Sequence, residues 1–333
     1  MKKQTTCSIV GARGYAGLET ARLLLSHPHA RLTHCFATSS FSLPFSAGSA
    51  GDVKCLPDSE ILKNKTDIVF LATPAEVSLE LAPKLLAQGS RVIDLSGAFR
   101  LKSSDYKKWY GFEHTERSLL KEAVYGLAPF CGPARGERLA ANPGCYASAI
   151  EMALIPVMPF IEGPIVIDAK SGTSGAGKKA SENMLFTEVD GECLPYKVGR
   201  HQHTPEIVEA VAAFSGHALD AHFTTSLLPV RRGIIAGIYA RTKASESEIA
   251  AAYAKAFENY PLARVQMPDG MSLKKVVGTA RTHITFTKEG DKLYLFSAID
   301  NLMKGAASQA IENMNRLMDL PTETGLSHLE ALT

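Results

Sequence analysis

The chain has 333 residues, with 36 Lys and Arg against 34 Asp and Glu and a formal net charge of +2. That length exceeds what one hydrophobic core usually organises, so two domains are expected. Apolar residues make up 45% and charged residues 21%, the balance of a globular protein, and the scattered charge gives no field that would select nucleic acid or an anionic membrane. No apolar run approaches the ~20 residues that span a bilayer. Met1-Lys2-Lys3 leads into a short strand-like run rather than a long apolar leader, so a cytoplasmic location with reduced thiols is expected. Six cysteines, at 7, 35, 55, 131, 145 and 193, include no Cys-x-x-Cys pair, which speaks against zinc and against a disulfide framework.

In chain order, residues 6–10 read as a strand ending in Gly11, 17–26 as a helix, 32–37 as a strand, 67–72 as a buried strand, 75–86 as a helix and 91–95 as a strand. Strands alternating with helices predict a doubly wound parallel sheet with ligands at the carboxyl ends of its strands. After Cys145 the pattern changes. Residues 165–170, 223–228, 234–241, 283–287 and 292–298 read as strands, several alternating apolar and polar as in a sheet with one open face. Residues 245–259 read as a helix capped by Ser245 with Glu246 and Glu248 in its first turn. A last amphipathic helix, 302–318, is expected to return to the first domain, and the polar tail from residue 321 to cover surface. The expected fold is α/β, a Rossmann-like doubly wound parallel sheet with a second α+β domain. The expected boundaries are 1–145 plus 302–333 for the first domain and 146–301 for the second.

Gly11-Ala12-Arg13-Gly14-Tyr15-Ala16-Gly17 joins the first strand to the first helix. Glycines there permit a tight turn and let backbone approach a pyrophosphate at a helix N-terminus, although a plain strand-to-helix turn uses the same residues. The second strand ends in Ala37-Thr38-Ser39-Ser40, without the acidic residue that holds a ribose 2′-hydroxyl. Ser39 and Ser40 leave room for a 2′-phosphate and Arg13 could neutralise it, which points to NADP over NAD.

Asn142-Pro143-Gly144-Cys145-Tyr146 precedes an apolar helical run. Cys145 therefore falls at or just before a helix N-terminus, where partial positive charge favours thiolate and free amides can hold an oxyanion. His201 and His203, two apart in Arg200-His201-Gln202-His203-Thr204-Pro205-Glu206, would face one side of an extended segment. One could relay protons at Cys145 and the other hold substrate or orient the first. No third ligand of matching spacing accompanies them, so no metal is expected. Ser96 and Arg100, after a strand of the first sheet, could hold a phosphate or carboxylate, or Arg100 could close a loop salt bridge. Ser171-Gly172-Thr173-Ser174-Gly175-Ala176-Gly177-Lys178 is a second small-residue loop whose amides could approach a bound group, but it lacks P-loop spacing. Asn301 precedes small residues expected to pack under a cofactor, and its side chain could bond a nicotinamide amide.

Together these motifs resemble the N-acetyl-γ-glutamyl-phosphate reductases of arginine biosynthesis, a family related to aspartate-semialdehyde dehydrogenase and, more distantly, to glyceraldehyde-phosphate dehydrogenase. The resemblance runs from Gly11 to Leu317. It is most specific at the Cys145 motif, at residues 171–177, at His201-Gln202-His203-Thr204-Pro205-Glu206-Ile207 and at Asp300-Asn301-Leu302-Met303-Lys304-Gly305-Ala306-Ala307. The chain departs from the family pattern at Ala128-Pro129, where Pro-Glu is common, at Ala147-Ser148 and at Ser308.

The resemblance implies a Rossmann domain with a glyceraldehyde-phosphate dehydrogenase-like second domain, NADP(H) as cofactor, and a homodimer or homotetramer. It also implies a Cys145 thioester reduced to a semialdehyde, with Ser174, Gly175 and Asn301 toward the cofactor and Ser96, Arg100, Asn142, Ser171 and Gly172 toward the substrate. The same chemistry on aspartyl phosphate or a carrier-bound α-aminoadipyl phosphate, and a non-catalytic NADP-binding regulator, are the competing expectations. The regulator would keep Gly11 to Gly17 but have no need of Cys145.

Overall fold

A computed structural model describes residues 4–44, 53–178, 181–266 and 270–329. Met1-Lys2-Lys3 and residues 330–333 of the tail lie outside the described residues. The chain divides into two compact units, Met1–Pro143 with Ala306–His328 and Gly144–Gly305 with Leu329–Thr333.

The first unit begins with β1 (Thr5–Val10), α1 (Tyr15–Leu25), β2 (Ala30–Ala37), β3 (Lys54–Pro57), β4 (Ile68–Leu71), α2 (Ala75–Ala87) and β5 (Arg91–Asp94). Two short helices, α3 (Tyr106–Trp109) and α4 (Arg117–Glu122), and two short strands, β6 (Val124–Tyr125) and β7 (Leu139–Ala141), complete its first pass. The strands form one sheet in the order β3-β2-β1-β4-β5-β7-β6, and every pairing is parallel. Parallel strands covered on both faces need apolar residues without interruption, and β4 is Ile-Val-Phe-Leu, buried throughout. Strand order reverses between β1 and β4, which opens a crevice beyond their carboxyl ends. Gly11 turns the chain there with φ +80°, and a Cβ on it would lie 2.3 Å from the Ala72 carbonyl oxygen.

The second unit contains α5 (Cys145–Leu154), β8 (Ile161–Gly172), α6 (Phe186–Val189), β9 (Leu194–Pro195), α7 (His203–Ser215), β10 (Ala221–Leu228), β11 (Ile234–Thr242), α8 (Glu246–Ala256), β12 (Ala263–Gln266), β13 (Thr282–Glu289) and β14 (Lys292–Ile299). Its sheet runs β12-β13-β14-β11-β8-β10-β9. The sheet is mixed: β8 pairs parallel with β10 and β12 with β13, while β11 pairs antiparallel with β8 and β14. Helix α5 packs on β14 and β11 and against α7. Along β8, Ile165, Ile167 and Ala169 are buried, while Val166, Asp168 and Lys170 point the other way and stay partly or fully accessible. That accessible face is apolar in places: Tyr239 stacks edge-on with Tyr294 and Phe296 across β11 and β14.

The chain re-enters the first unit through a π-helical turn, Met303–Ala307, and α9 (Ser308–Leu317). The sequence pattern reads as one continuous helix; the structure inserts a wider turn at its start. Helix α9 packs against α1 and β5 and is buried on its polar side as well as its apolar one. Ile311, Met314 and Leu317 are each 0% exposed, and such burial stabilises by about 1.5–3 kcal/mol per side chain. On the polar side Gln309 and Asn313 both donate to the Gly126 carbonyl at 3.0 Å.

Helix α8 starts with a reciprocal capping box, in which Ser245 Oγ accepts from the Glu248 amide and the Glu248 carboxylate accepts from the Ser245 amide. Ser245→Ala removes one half of that exchange and is expected to cost about 1 kcal/mol. Thermal unfolding should show a lowered midpoint with unchanged catalysis.

Candidate active site

Cys145 is the first residue of α5, and Gly144, with φ −71° and ψ 156°, is its N-cap. The N-cap glycine has no side chain to bond the first turn, and helix polarity at that end favours negative charge. Cys145 is half-buried. Two other glycine-dependent contacts crowd it. A Cβ on Gly144 would sit 2.3 Å from His203 Nε2, and one on Gly305 would sit 2.7 Å from the Cys145 Cβ. The His203 ring thus packs on the residue before the cysteine, and bare Gly305 backbone packs on the cysteine's own Cβ.

Both histidines reach this place, but not on an extended segment. His203 opens α7, with Gln202 already in helical conformation as its N-cap. The rings meet edge to face, with centroids 4.7 Å apart, because the His203 amide donates to His201 Nδ1 at 3.1 Å. That bond makes Nδ1 an acceptor and places the neutral ring's proton on Nε2. Burial, then the neighbouring His203 and Lys197, push the His201 pKa down to about 2. Tyr146 lies edge-on to both rings, and its hydroxyl accepts from the Tyr196 hydroxyl at 2.9 Å. Burial raises both phenols far above their ordinary range.

Glu206, absent from the sequence expectations, is 1% exposed and accepts the Gly144 amide at 2.7 Å. Its signal was present: three residues after His203 it belongs to the first turn of a helix whose Thr204-Pro205 start and Gly216 stop are legible. Pro205 is tolerated there because a first-turn amide has no intrahelical partner to lose.

The other expected residues divide. In the first unit, Gly14 is the N-cap of α1, Tyr15 and Ala16 are its first residues, and no side chain caps it. A Cβ on Gly17 would lie 2.5 Å from the Gly11 carbonyl oxygen, so the loop and helix touch backbone to backbone. Arg13 donates to Ser39 Oγ beyond the end of β2, and Ser40 is exposed beside it. Ser96 is turned inward, donating to Asp94 Oδ2 at 2.8 Å and accepting from the Ala98 amide. Arg100 Nε donates to the Asn142 carbonyl at 2.7 Å and its Nη2 to that of Leu95 at 2.9 Å.

Asn142 is 0% exposed, donates to the Ala306 carbonyl at 3.2 Å and accepts from Asn313 at 3.0 Å. The amide thus braces the first unit from inside. In the second unit Ser171 is 1% exposed and donates to the Gly172 carbonyl, while the space a Gly172 side chain would need is filled by backbone of residues 230–232. Asn301 accepts from the Gly233 amide at 2.8 Å and donates to Ser174 Oγ at 3.0 Å, so it ties two loops together next to Gly175. A ligand amide would have to share that side chain. Among the described residues, no group of three or more His, Cys, Asp or Glu is arranged to hold a metal ion, and no helix is long and apolar enough to cross a membrane.

Comparison with known proteins sets the class first. Residues 6–134 match the family model described as "Semialdehyde dehydrogenase, NAD binding domain" and residues 145–301 the one described as "Semialdehyde dehydrogenase, dimerisation domain". Aspartate semialdehyde dehydrogenase II from Vibrio cholerae superposes with a TM-score of 0.73 at 16% identity, over 96% of this chain and 99% of that one, a likeness of fold. N-acetyl-gamma-glutamyl-phosphate reductases from Streptococcus gordonii and Geobacillus stearothermophilus are each 40% identical, covering 96% and 97% of this chain and 97% and 98% of theirs. The chain belongs to the N-acetyl-gamma-glutamyl-phosphate reductase family.

His201 gives a pH prediction. Its folded pKa lies below its unfolded value of about 6.5, so the unfolded chain binds the extra proton. Stability conferred by the neutral ring is complete above that value and is lost as pH falls below it, by at most about 1.4 kcal/mol per pH unit. The thermal midpoint should therefore drop between pH 7 and pH 4, and His201→Asn should flatten the slope.

Proposed function

We propose that this oxidoreductase reduces N-acetyl-L-glutamyl 5-phosphate to N-acetyl-L-glutamate 5-semialdehyde and phosphate, with NADPH, through a thioester on Cys145, as a step of cytoplasmic arginine biosynthesis. The observation that carries the chemistry is Cys145 at an uncapped helix start with the His203 ring packed on its N-cap glycine. The relatives' shared name supplies the substrate.

His203 is the acid/base of choice, because His201 is held neutral with Nδ1 already engaged. The Cys145 sulfur attacks the acyl carbon, His203 accepts the thiol proton, and phosphate leaves with the C–O bond pair. First-turn amides of α5 stabilise the oxygen that gains charge at each tetrahedral stage. Bound NADPH supplies the hydride that reduces the thioester. Collapse of the thiohemiacetal breaks the C–S bond, returns the electron pair to sulfur and releases the semialdehyde, with His203 handing back the proton. A thioester accepts hydride where a free carboxylate would not, which is the purpose of the covalent step.

The first unit fits a dinucleotide. Its helix start is uncapped, its glycines let backbone approach, and the Arg13 guanidinium lies at Ser39 where a 2′-phosphate would be read. In this reading the first unit is the NADP-binding domain and the second the catalytic and dimerisation domain. The accessible apolar face around Tyr239, Tyr294 and Phe296 suits a homodimer, or a homotetramer built from dimers.

Phosphate-dependent NADP reduction by N-acetylglutamate 5-semialdehyde, assayed beside aspartate semialdehyde, tests the assignment; preference for the aspartyl compound would overturn it. Cys145→Ser should abolish turnover and leave NADPH binding intact. Arg13→Ala should raise the KM for NADPH by about 10–100-fold, the worth of a charge-assisted hydrogen bond, with no effect on NADH.

A further inference from the structure

The outer edge of the second sheet gathers hydrogen-bond donors that find no acceptor among the described residues. His283, on β13, is 3% exposed, and among the described residues neither of its ring nitrogens has a hydrogen-bond partner. Gln266, on β12, has a buried Nε2 in the same condition. The two strands pair in parallel, with Arg264 opposite His283 and Gln266 opposite Thr285. Directly opposed residues share a face, as do residues two apart, so Arg264, Gln266 and His283 point to one side. Arg281 stands two residues before His283 on the approach to the strand. Arg264, Arg281 and Lys275 all act electrostatically on the His283 ring. Among the described residues, no carboxylate forms an ion pair with any of these three cations; Lys275 reaches only the Gly270 carbonyl.

Buried polar groups are nearly always satisfied by protein, water or an ion, and a cluster of donors with cations around it suits an anion. We propose that this edge is an anion site, separate from the Cys145 site, that takes a small phosphate-class oxyanion, with His283 and Gln266 at its base and Arg264, Arg281 and Lys275 at its rim. The exposure of the side chains follows that order: Arg264 and Lys275 are exposed, Arg281 is half-buried and His283 is enclosed. A tetrahedral dianion can accept from every donor present, and guanidinium groups meet its oxygens in pairs. Burial first, and then the three cations, hold the His283 pKa down to about 4, so with no anion bound the ring presents one N–H and one lone pair at neutral pH. No residue of the site belongs to the proposed catalytic machinery, so the inference stands or falls apart from it.

Inorganic phosphate is the probe. The full-length protein is titrated with phosphate at constant ionic strength, with chloride as control, while the His283 ring nitrogens are followed by NMR and assigned through His283→Asn. The His283 resonances should move saturably with phosphate and not with chloride. Arg264→Gln should weaken that response at least tenfold while Cys145 alkylation and turnover stay at wild-type levels. Lys275→Gln, at an exposed position, should weaken it severalfold and carries the test should Arg264→Gln fail to fold. Resonances that ignore saturating phosphate, or an unchanged response in both variants, would overturn the proposal. So would an absent phosphate response combined with loss of self-association in Arg264→Gln by sedimentation, because a second copy's carboxylate would then fill the site.

Discussion

A single acceptor, the Glu206 carboxylate on the Gly144 amide, fixes the arrangement around the thiol. A helix start leaves amides that the helix cannot satisfy, and at α5 the cap residue is a glycine with no side chain to help. Glu206 meets that need from another helix. Because it lies in the first turn of α7, the contact also fixes where α7 begins, which carries His203 over Gly144 and leaves His201 behind it as an acceptor. The approach works only where Gly144 has no Cβ, since any such atom would overlap the imidazole. Tyr146, one residue past the cysteine, lies edge-on to both rings.

The same device serves twice in the chain. At α1 and again at α5 a strand ends and a glycine in extended conformation stands as N-cap, with no side chain of its own to bond the first turn. An uncapped start is an electrostatic receptor of fixed direction. At α1 it suits a pyrophosphate, and at α5 it suits a sulfur anion and the oxyanions formed on it. The glycines before each helix follow from this geometry, because a capping serine or aspartate would occupy the place of the ligand.

Periodicity and turn chemistry made most of the architecture legible in the sequence. The parallel sheet of the first unit follows from buried runs such as residues 68–71, and the α8 start from Ser245 and Glu248. Cys145 was legible because Pro143 and Gly144 precede an apolar helical run. What escaped depends on partners distant in sequence. Reading His-x-His as an extended segment passes over the helix start that Thr204-Pro205 marks, and Glu206 with it. Asn142 and Asn301 read as ligand contacts when taken as isolated residues; the fold adds that they also bond Ala306, Asn313, Gly233 and Ser174. The π-helical turn at Met303–Ala307, which brings Gly305 under the cysteine, leaves no mark in a pattern of period 3.6.

The accessible aromatic face of the second sheet has a thermodynamic consequence. Where two copies cover such a face, folding and association share one equilibrium, and mass action enters the melting temperature. Dilution then acts as a denaturant. The second unit would be the first to feel it, since its sheet would lose the cover of one side while α5 still sheltered the other.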